Sequence, residues 1–226
     1  MSNSTINRAV IVANGDAPAA DQVSRLLPAP DGRLVVAADG GMHTAQRMGL
    51  TPDVVVGDGD SVAPGALERL RTDGVEVQLH PLDKDASDTE LAVREALRRG
   101  AREIVILGAL GGVRFEHALA NVLLLAMPEL DGCDARLVDG RSTVRLLAGE
   151  RSLRLDARDG LLVSLLPLTE RAEGVRTRGL RYALDGDFLE QGSTRGLSNV
   201  ITGIEAAVGL RRGRLAVVQT RDGGDA

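Results

Sequence analysis

Two aspartates at the end of an apolar run are the first residues of this chain whose types and spacing suggest chemistry. Val54-Val55-Val56 leads into Gly57-Asp58-Gly59-Asp60-Ser61. If extended geometry persists, Asp58 and Asp60 leave the backbone on one side with Cβ atoms roughly 6–7 Å apart. Carboxylates so placed can converge on one hard cation. Oxygen ligands combined with retained water and substrate phosphates are the surroundings that Mg²⁺ prefers. Taken alone, the same five residues are also good turn chemistry.

A second acidic group shifts the balance towards a site. Asp83-Lys84-Asp85-Ala86-Ser87-Asp88 runs directly into a helical period. Ser87 or Asp88 is expected to cap that helix, and Ser87 with Glu90 has the capping-box spacing. A cap accounts for one of these residues but not for three aspartates and a lysine in the same stretch. Carboxylates and a lysine beside a helix N-terminus can hold metal and phosphate together. Lys84 then reads as a phosphate contact, with an ordinary surface lysine as the alternative. A third element, Gly108-Ala109-Leu110-Gly111-Gly112-Val113-Arg114, lies between a strand-like and a helix-like run. Its glycines would let backbone approach phosphates, and the helix N-terminus that follows favours an anion. The segment fits neither the P-loop nor the G-x-G-x-x-G fingerprint, which disfavours Walker-type NTPases and Rossmann dehydrogenases. His117 and Asn121 share one face of the following helix, one turn apart, whereas His43 and His80 read as surface or loop residues.

The elements that would position these groups can be read from the apolar pattern. Continuous runs end in Asn14-Gly15-Asp16, Asp39-Gly40-Gly41, Gly57-Asp58 and Gly108. Apolar on both faces and rich in β-branched residues, they suit parallel strands covered by helices. Amphipathic stretches over 66–71, 89–99 and 116–126 supply those helices, with Gly100 as the stop of the second. Alternating strands and helices predict an α/β domain with a doubly wound, mostly parallel, Rossmann-like sheet over 1–140. In such sheets ligands bind at the carboxyl ends of the strands, where the Asp and Gly residues collect. From 141 to 226 the rhythm changes to short strand-like runs at 142–147, 152–155, 161–166, 174–177 and 215–219. Turn signals such as Asp185-Gly186-Asp187 separate them, which predicts a smaller antiparallel β domain.

Composition limits the alternatives. The 226 residues suffice for one large or two modest domains, and the net charge of -5 argues against a nucleic-acid binder. A single cysteine, Cys133, excludes an internal disulfide framework and a cysteine-based zinc site. The start of the chain is polar, without the apolar core of a signal peptide, and no apolar stretch reaches membrane-span length. The expectation is a cytoplasmic protein with no membrane partner. With two Phe, one Tyr and no Trp, an aromatic cage for a ligand is out of reach.

The order of these motifs resembles the thiamine pyrophosphokinase family. The resemblance runs from about Val10 to Val218. It is carried by Asp39-Gly40-Gly41, by Pro52-Asp53 leading to Gly57-Asp58-Gly59-Asp60-Ser61, and by Asp83-Lys84-Asp85-Ala86-Ser87-Asp88. Gly111-Gly112-Val113-Arg114-Phe115-Glu116-His117 with Asn121 follows, and Gly196-Leu197-Ser198-Asn199 comes late. The resemblance implies an α/β catalytic domain, then a β-sandwich domain for thiamine binding and dimerisation, paired as a homodimer. The implied reaction is Mg²⁺-dependent transfer of diphosphate from ATP to thiamine, giving thiamine diphosphate and AMP. Asp58, Asp60 and Asp88 would be the metal ligands, and with Asp85 the catalytic set. Asp39, Gly40, Gly41, Lys84, Gly111, Gly112, Arg114, His117 and Asn121 would face the nucleotide. Ser198 and Asn199 would face the thiamine, and Asp58 or Asp85 would take the hydroxyl proton. The chain departs from the family pattern at Gly59, where an aromatic is usual, and at Glu116, where Asp is usual. With no Trp, only Tyr182, Phe188 and Phe115 could stack on an acceptor. Two other readings are a diphosphokinase acting on another heterocyclic alcohol, such as a pterin, and a nucleotide-binding regulatory module without turnover.

Overall fold

A computed structural model describes residues 6–19, 27, 29–59 and 65–221, which form two compact units, 1–140 and 141–226. The first unit is built on β1 (Arg8–Val12), β2 (Arg33–Ala38), β3 (Val54–Gly57), β4 (Glu76–Leu79), β5 (Glu103–Leu107) and β6 (Asp134–Val138). These strands lie in the order β6-β5-β1-β2-β3-β4, and every neighbouring pair is parallel. The helices between them are α1 (Gly41–Arg47), α2 (Ala66–Thr72), α3 (Asp88–Arg98) and α4 (Phe115–Leu124).

The apolar runs become the central strands because helices cover both faces. Val10, Val12, Val105 and Leu107 pack with Ala45 and Met48 on one face. On α3, the fully buried Ala92, Val93 and Ala96 lie across β1, β2 and β3. The chain passes from β1 outwards to β2, β3 and β4, then returns to place β5 on the other side of β1. That reversal leaves a crevice beyond the ends of β1 and β5, where doubly wound sheets bind ligands.

Helix α3 begins as the capping signal predicts. Ser87 is the N-cap, and its Oγ accepts the Glu90 N–H at 3.2 Å. Gly100, in the left-handed region at φ +98°, follows its C-terminus. Three elements of this unit were not legible as strand or helix: α1, β6, and the edge strand β4, whose Glu76 and Leu79 are exposed. An edge strand with a wet face shows neither a continuous apolar run nor clean alternation.

A buried ion cluster ties α3 to that edge strand. Glu95 is 6% exposed and accepts from Arg98 Nε at 2.7 Å, Arg99 Nε at 2.5 Å and Gln78 Nε2 at 2.9 Å. Arg99 continues to Glu76 at 2.6 Å. Burial alone would raise the Glu95 carboxyl, but hydrogen bonds from Arg98, Arg99 and Gln78 hold it at about 2. A carboxyl depressed on folding contributes stability above its ordinary range, near 4.5, and loses it as pH falls towards 2. Because the arginines are partly in solvent, the contribution is about 1–2 kcal/mol. Urea unfolding between pH 7 and 3 should show this loss in the wild type. Glu95→Gln should be less stable at pH 7 and show a flatter acid limb; an unchanged acid limb would exclude the effect.

In the second unit every strand pair is antiparallel. One sheet has the order β12-β9-β14-β7, from β7 (Ser142–Ala148), β9 (Leu162–Pro167), β12 (Asn199–Val200) and β14 (Arg214–Thr220). The other has the order β11-β10-β13-β8, from β8 (Arg151–Arg154), β10 (Arg171–Arg178), β11 (Asp185–Glu190) and β13 (Ala207–Leu210). Val163 and Leu165 alternate with less buried neighbours along β9 and pack with Ala172, Val175, Val208, Leu215 and Val217, as in a β-sandwich core. Asp185-Gly186-Asp187, which reads as a turn, instead opens β11 and pairs with β10. Among the described residues no helix is long and apolar enough to cross a membrane.

Candidate active site

The carboxyl ends of the first unit's strands enclose a cleft of about 430 Å³, a size ordinary for a small-molecule site. Ala13, Asn14 and Gly15 enter it from the end of β1, Asp39 from β2 and Asp58 from β3. Gly108, Gly111 and Gly112 enter after β5, while Ser87, Asp88 and Thr89 stand at the start of α3. Arg114, His117 and Asn121 complete it from the start of α4.

Asp39 is held in the left-handed region at φ +45° and is 6% exposed. Its Oδ1 is buried and accepts no hydrogen bond from any described residue. A non-glycine residue at positive φ with an unsatisfied buried oxygen is costly, and such strain concentrates at functional sites. The two glycines after it do not line the cleft. A Cβ on Gly40 would lie 2.5 Å from the Asn14 amide, and one on Gly41 would lie 2.0 Å from the Val12 carbonyl oxygen. These glycines, expected at the nucleotide, seat the start of α1 against the end of β1.

Asp58 and Asp88, expected together, meet through Lys84. Lys84 Nζ lies 3.0 Å from Asp58 Oδ2 and 2.9 Å from Asp88 Oδ1, so two carboxylates from different elements converge on one cationic group. The Lys84 and Asp58 side chains are 15% and 12% exposed. Burial would lower the Lys84 ammonium, but hydrogen bonds to Asp88 and Asp58 outweigh it and raise the group, keeping it charged. Apart from this ion pair, Asp88 Oδ1 is buried without a well-formed hydrogen bond. Asp60 and Ser61 lie outside the described residues. Among the described residues no three acidic, His or Cys side chains form a metal-holding group. The expected Asp85 is exposed and is not among the residues lining the cleft.

The glycine loop and the start of α4 also line the cleft. Helix α4 begins at Arg114 with no side-chain cap, and its His117 N–H donates to the Arg114 carbonyl at 3.1 Å. Arg114 Nε is tied to Glu116 Oε1 at 2.7 Å. The hydrogen bond from Arg114 holds the Glu116 carboxyl below the usual range. Asn121 is buried and uses its Nδ2 to donate to the Ala109 carbonyl at 3.0 Å, so it shapes the glycine loop from behind. His117 lines the cleft and is exposed. Asn14 and Thr89 also line it and are not singled out by the motif pattern; the Asn-Gly step ending the first apolar run was the available signal for Asn14.

Ser198 and Asn199 belong to the second unit. Ser198 is exposed at φ +57°, and its N–H donates to Ser164 Oγ at 3.1 Å. Asn199 is buried: its Oδ1 accepts from the Tyr182 N–H at 2.9 Å, and its Nδ2 donates to the Tyr182 carbonyl at 2.6 Å. The amide therefore clamps the backbone of the chain's one tyrosine, whose ring is exposed.

Both halves of the chain have recognisable relatives. Residues 30–137 match the family model described as Thiamin pyrophosphokinase, catalytic domain, and residues 152–215 match Thiamin pyrophosphokinase, vitamin B1 binding domain. Thiamine pyrophosphokinase of Bacillus subtilis (strain 168) is 26% identical over 190 residues, covering 84% of this chain and 88% of the relative. Thiamine pyrophosphokinase 1 of Oryza sativa subsp. japonica is 29% identical over 190 residues, covering 80% and 67%. Among solved structures, the thiamin pyrophosphokinase family protein of Enterococcus faecalis matches with a TM-score of 0.79 at 27% identity, covering 96% of this chain and 100% of that one.

Proposed function

This chain belongs to the thiamin pyrophosphokinase family, and we infer that it transfers the terminal diphosphate of ATP to the hydroxyl group of thiamine, releasing AMP. The observation that carries the reading onto particular residues is the convergence of Asp58 and Asp88 on Lys84, at the edge of a cleft that also holds the glycine loop. Transfer of this kind needs charge neutralisation and in-line placement more than covalent help from the protein.

The donor set suits a hard divalent cation. Two carboxylates already converge on one positive centre, and Asp88 Oδ1 has no other partner among the described residues. Asp58 and Asp88, with Asp60, would hold Mg²⁺, which when bound would neutralise charge on the phosphates. The remaining work falls to groups of this chain. The uncapped start of α4 and the glycine loop would cradle phosphate oxygens, with Arg114 and His117 at the rim and Asp39 on the nucleotide side. Lys84, raised by hydrogen bonds to Asp88 and Asp58, would bring a positive charge close to the phosphates. Of the two aspartates considered as proton acceptor, Asp58 lines the cleft and Asp85 does not, which favours Asp58.

Acceptor recognition is assigned to the second unit, where Asn199 steadies Tyr182 and Ser198 presents an exposed hydroxyl. The enzyme is proposed to work as a homodimer in the cytoplasm, without nucleic-acid or membrane partners. Incubation with ATP, Mg²⁺ and thiamine should yield AMP and thiamine diphosphate in equal amounts. Folded protein that forms neither would overturn the function, and preference for a pterin alcohol would overturn the acceptor.

A further inference from the structure

The loop after β1 and the loop after β5 dock backbone to backbone. The Gly15 N–H donates to the Gly108 carbonyl at 2.8 Å. A Cβ on Gly15 would come within 2.4 Å of the Gly108 oxygen and 2.6 Å of the Gly111 oxygen, so the contact closes only because that side chain is missing. Across it reaches Asp16, whose Oδ2 accepts the Gly112 N–H at 2.9 Å over a sequence separation of 96 residues. Gly111 leaves the space for it: a Cβ there would stand 2.5 Å from the same oxygen. Gly112 sits at φ +103°, in the region favouring glycine, and its N–H direction is what Asp16 fixes.

Asp16 does not itself line the cleft, whereas Gly15, Gly108, Gly111 and Gly112, which it joins, all do. At the other end the loop is held by Asn121 through the Ala109 carbonyl. We propose that Asp16 is a positioning residue for the nucleotide: with Asn121 it braces the 108–112 loop at both ends, so that its backbone is set for phosphate before ATP arrives. A loop ordered in advance need not be ordered by the ligand, so the brace acts on nucleotide affinity rather than on the chemical step. The proposal rests on the assignment of this cleft to ATP.

The test compares Asp16→Ala, which removes the acceptor, with Asp16→Asn, whose Oδ1 can still accept the Gly112 N–H. Asp16→Ala should raise KM for ATP and the Kd of ATP by about tenfold, with kcat changed less than about twofold. Asp16→Asn should recover most of the affinity. The exposed Gly112 N–H can take water instead, so the melting temperature should stay close to that of the wild type. Amide exchange at Gly111 and Gly112, measured without nucleotide, should be faster in Asp16→Ala and near wild type in Asp16→Asn. Wild-type ATP affinity in Asp16→Ala, unchanged exchange, or equal impairment of both variants would each overturn the proposal. If the wild type itself takes up no ATP, the assignment of the cleft fails and the positioning role falls with it; the exchange rates then report separately whether Asp16 braces the loop.

Discussion

Asp58→Asn is expected to lower AMP formation by about 10²–10³-fold or more, while the protein stays folded. The substitution keeps the shape of the side chain and removes its charge. Asp58 reaches the cleft from β3 and shares Lys84 with Asp88. On the proposed reading the two carboxylates, with Asp60, would supply the negative charge that a divalent cation needs; in the variant that charge would fall by one. Lys84 keeps its partner in Asp88, so no cation is left uncompensated, and the cost to stability is about 1–3 kcal/mol. Stability and activity should therefore separate. The measurement is AMP release across a Mg²⁺ titration, beside a urea unfolding curve. Asp58→Asn turning over at the wild-type rate and the wild-type Mg²⁺ concentration would remove Asp58 from the metal site. Asp88→Asn should behave in the same way, because its Oδ1 is the other oxygen at Lys84.

Gly41→Ala is expected to have the largest effect on stability, about 2–4 kcal/mol. The added Cβ would lie 2.0 Å from the Val12 carbonyl oxygen and 2.8 Å from its carbon. Neither atom belongs to a flexible side chain that could swing aside. Val12 ends the buried run 9–12, next to both β2 and β5, so relief would require moving α1 away from the sheet. A comparison position is available in Gly49, at φ +70° with nothing within 4 Å of the added carbon. Gly49→Ala meets only the left-handed backbone cost, about 1–2 kcal/mol. Urea midpoints of the two variants should fall in that order. A midpoint for Gly41→Ala within error of the wild type would show that α1 is not seated by this contact.

These two residues also show what can be read from sequence and what cannot. That Asp58 would stand at the end of a strand follows from local pattern: Val54-Val55-Val56 is apolar and β-branched on both faces, which only a covered parallel sheet can bury. The start of α3 was equally local, because a cap involves only Ser87 and the N–H groups of the next turn. The change of rhythm after 140 likewise announces short antiparallel strands, since alternation along one strand, as in β9, is visible within a few residues.

Local pattern carries no information on which strands become neighbours. The position of β5 beside β1 follows from tertiary packing, and it alone makes the crevice in which residues near 14, 39, 58, 88 and 111 meet. Spacing along the chain suggested Asp58 with Asp60; packing paired Asp58 with Asp88 through Lys84. Gly111 and Gly112 line the cleft, while Gly40 and Gly41 pack the start of α1 against the end of β1. The edge strand β4 and the opening of β11 were illegible because their side chains face water, and only hydrogen bonds to a neighbouring strand make them extended. The residue types and the edge of the sheet on which they gather are determined by the sequence itself. Which carboxylate meets which cation was decided by contacts between segments far apart in the chain, and no periodicity records them.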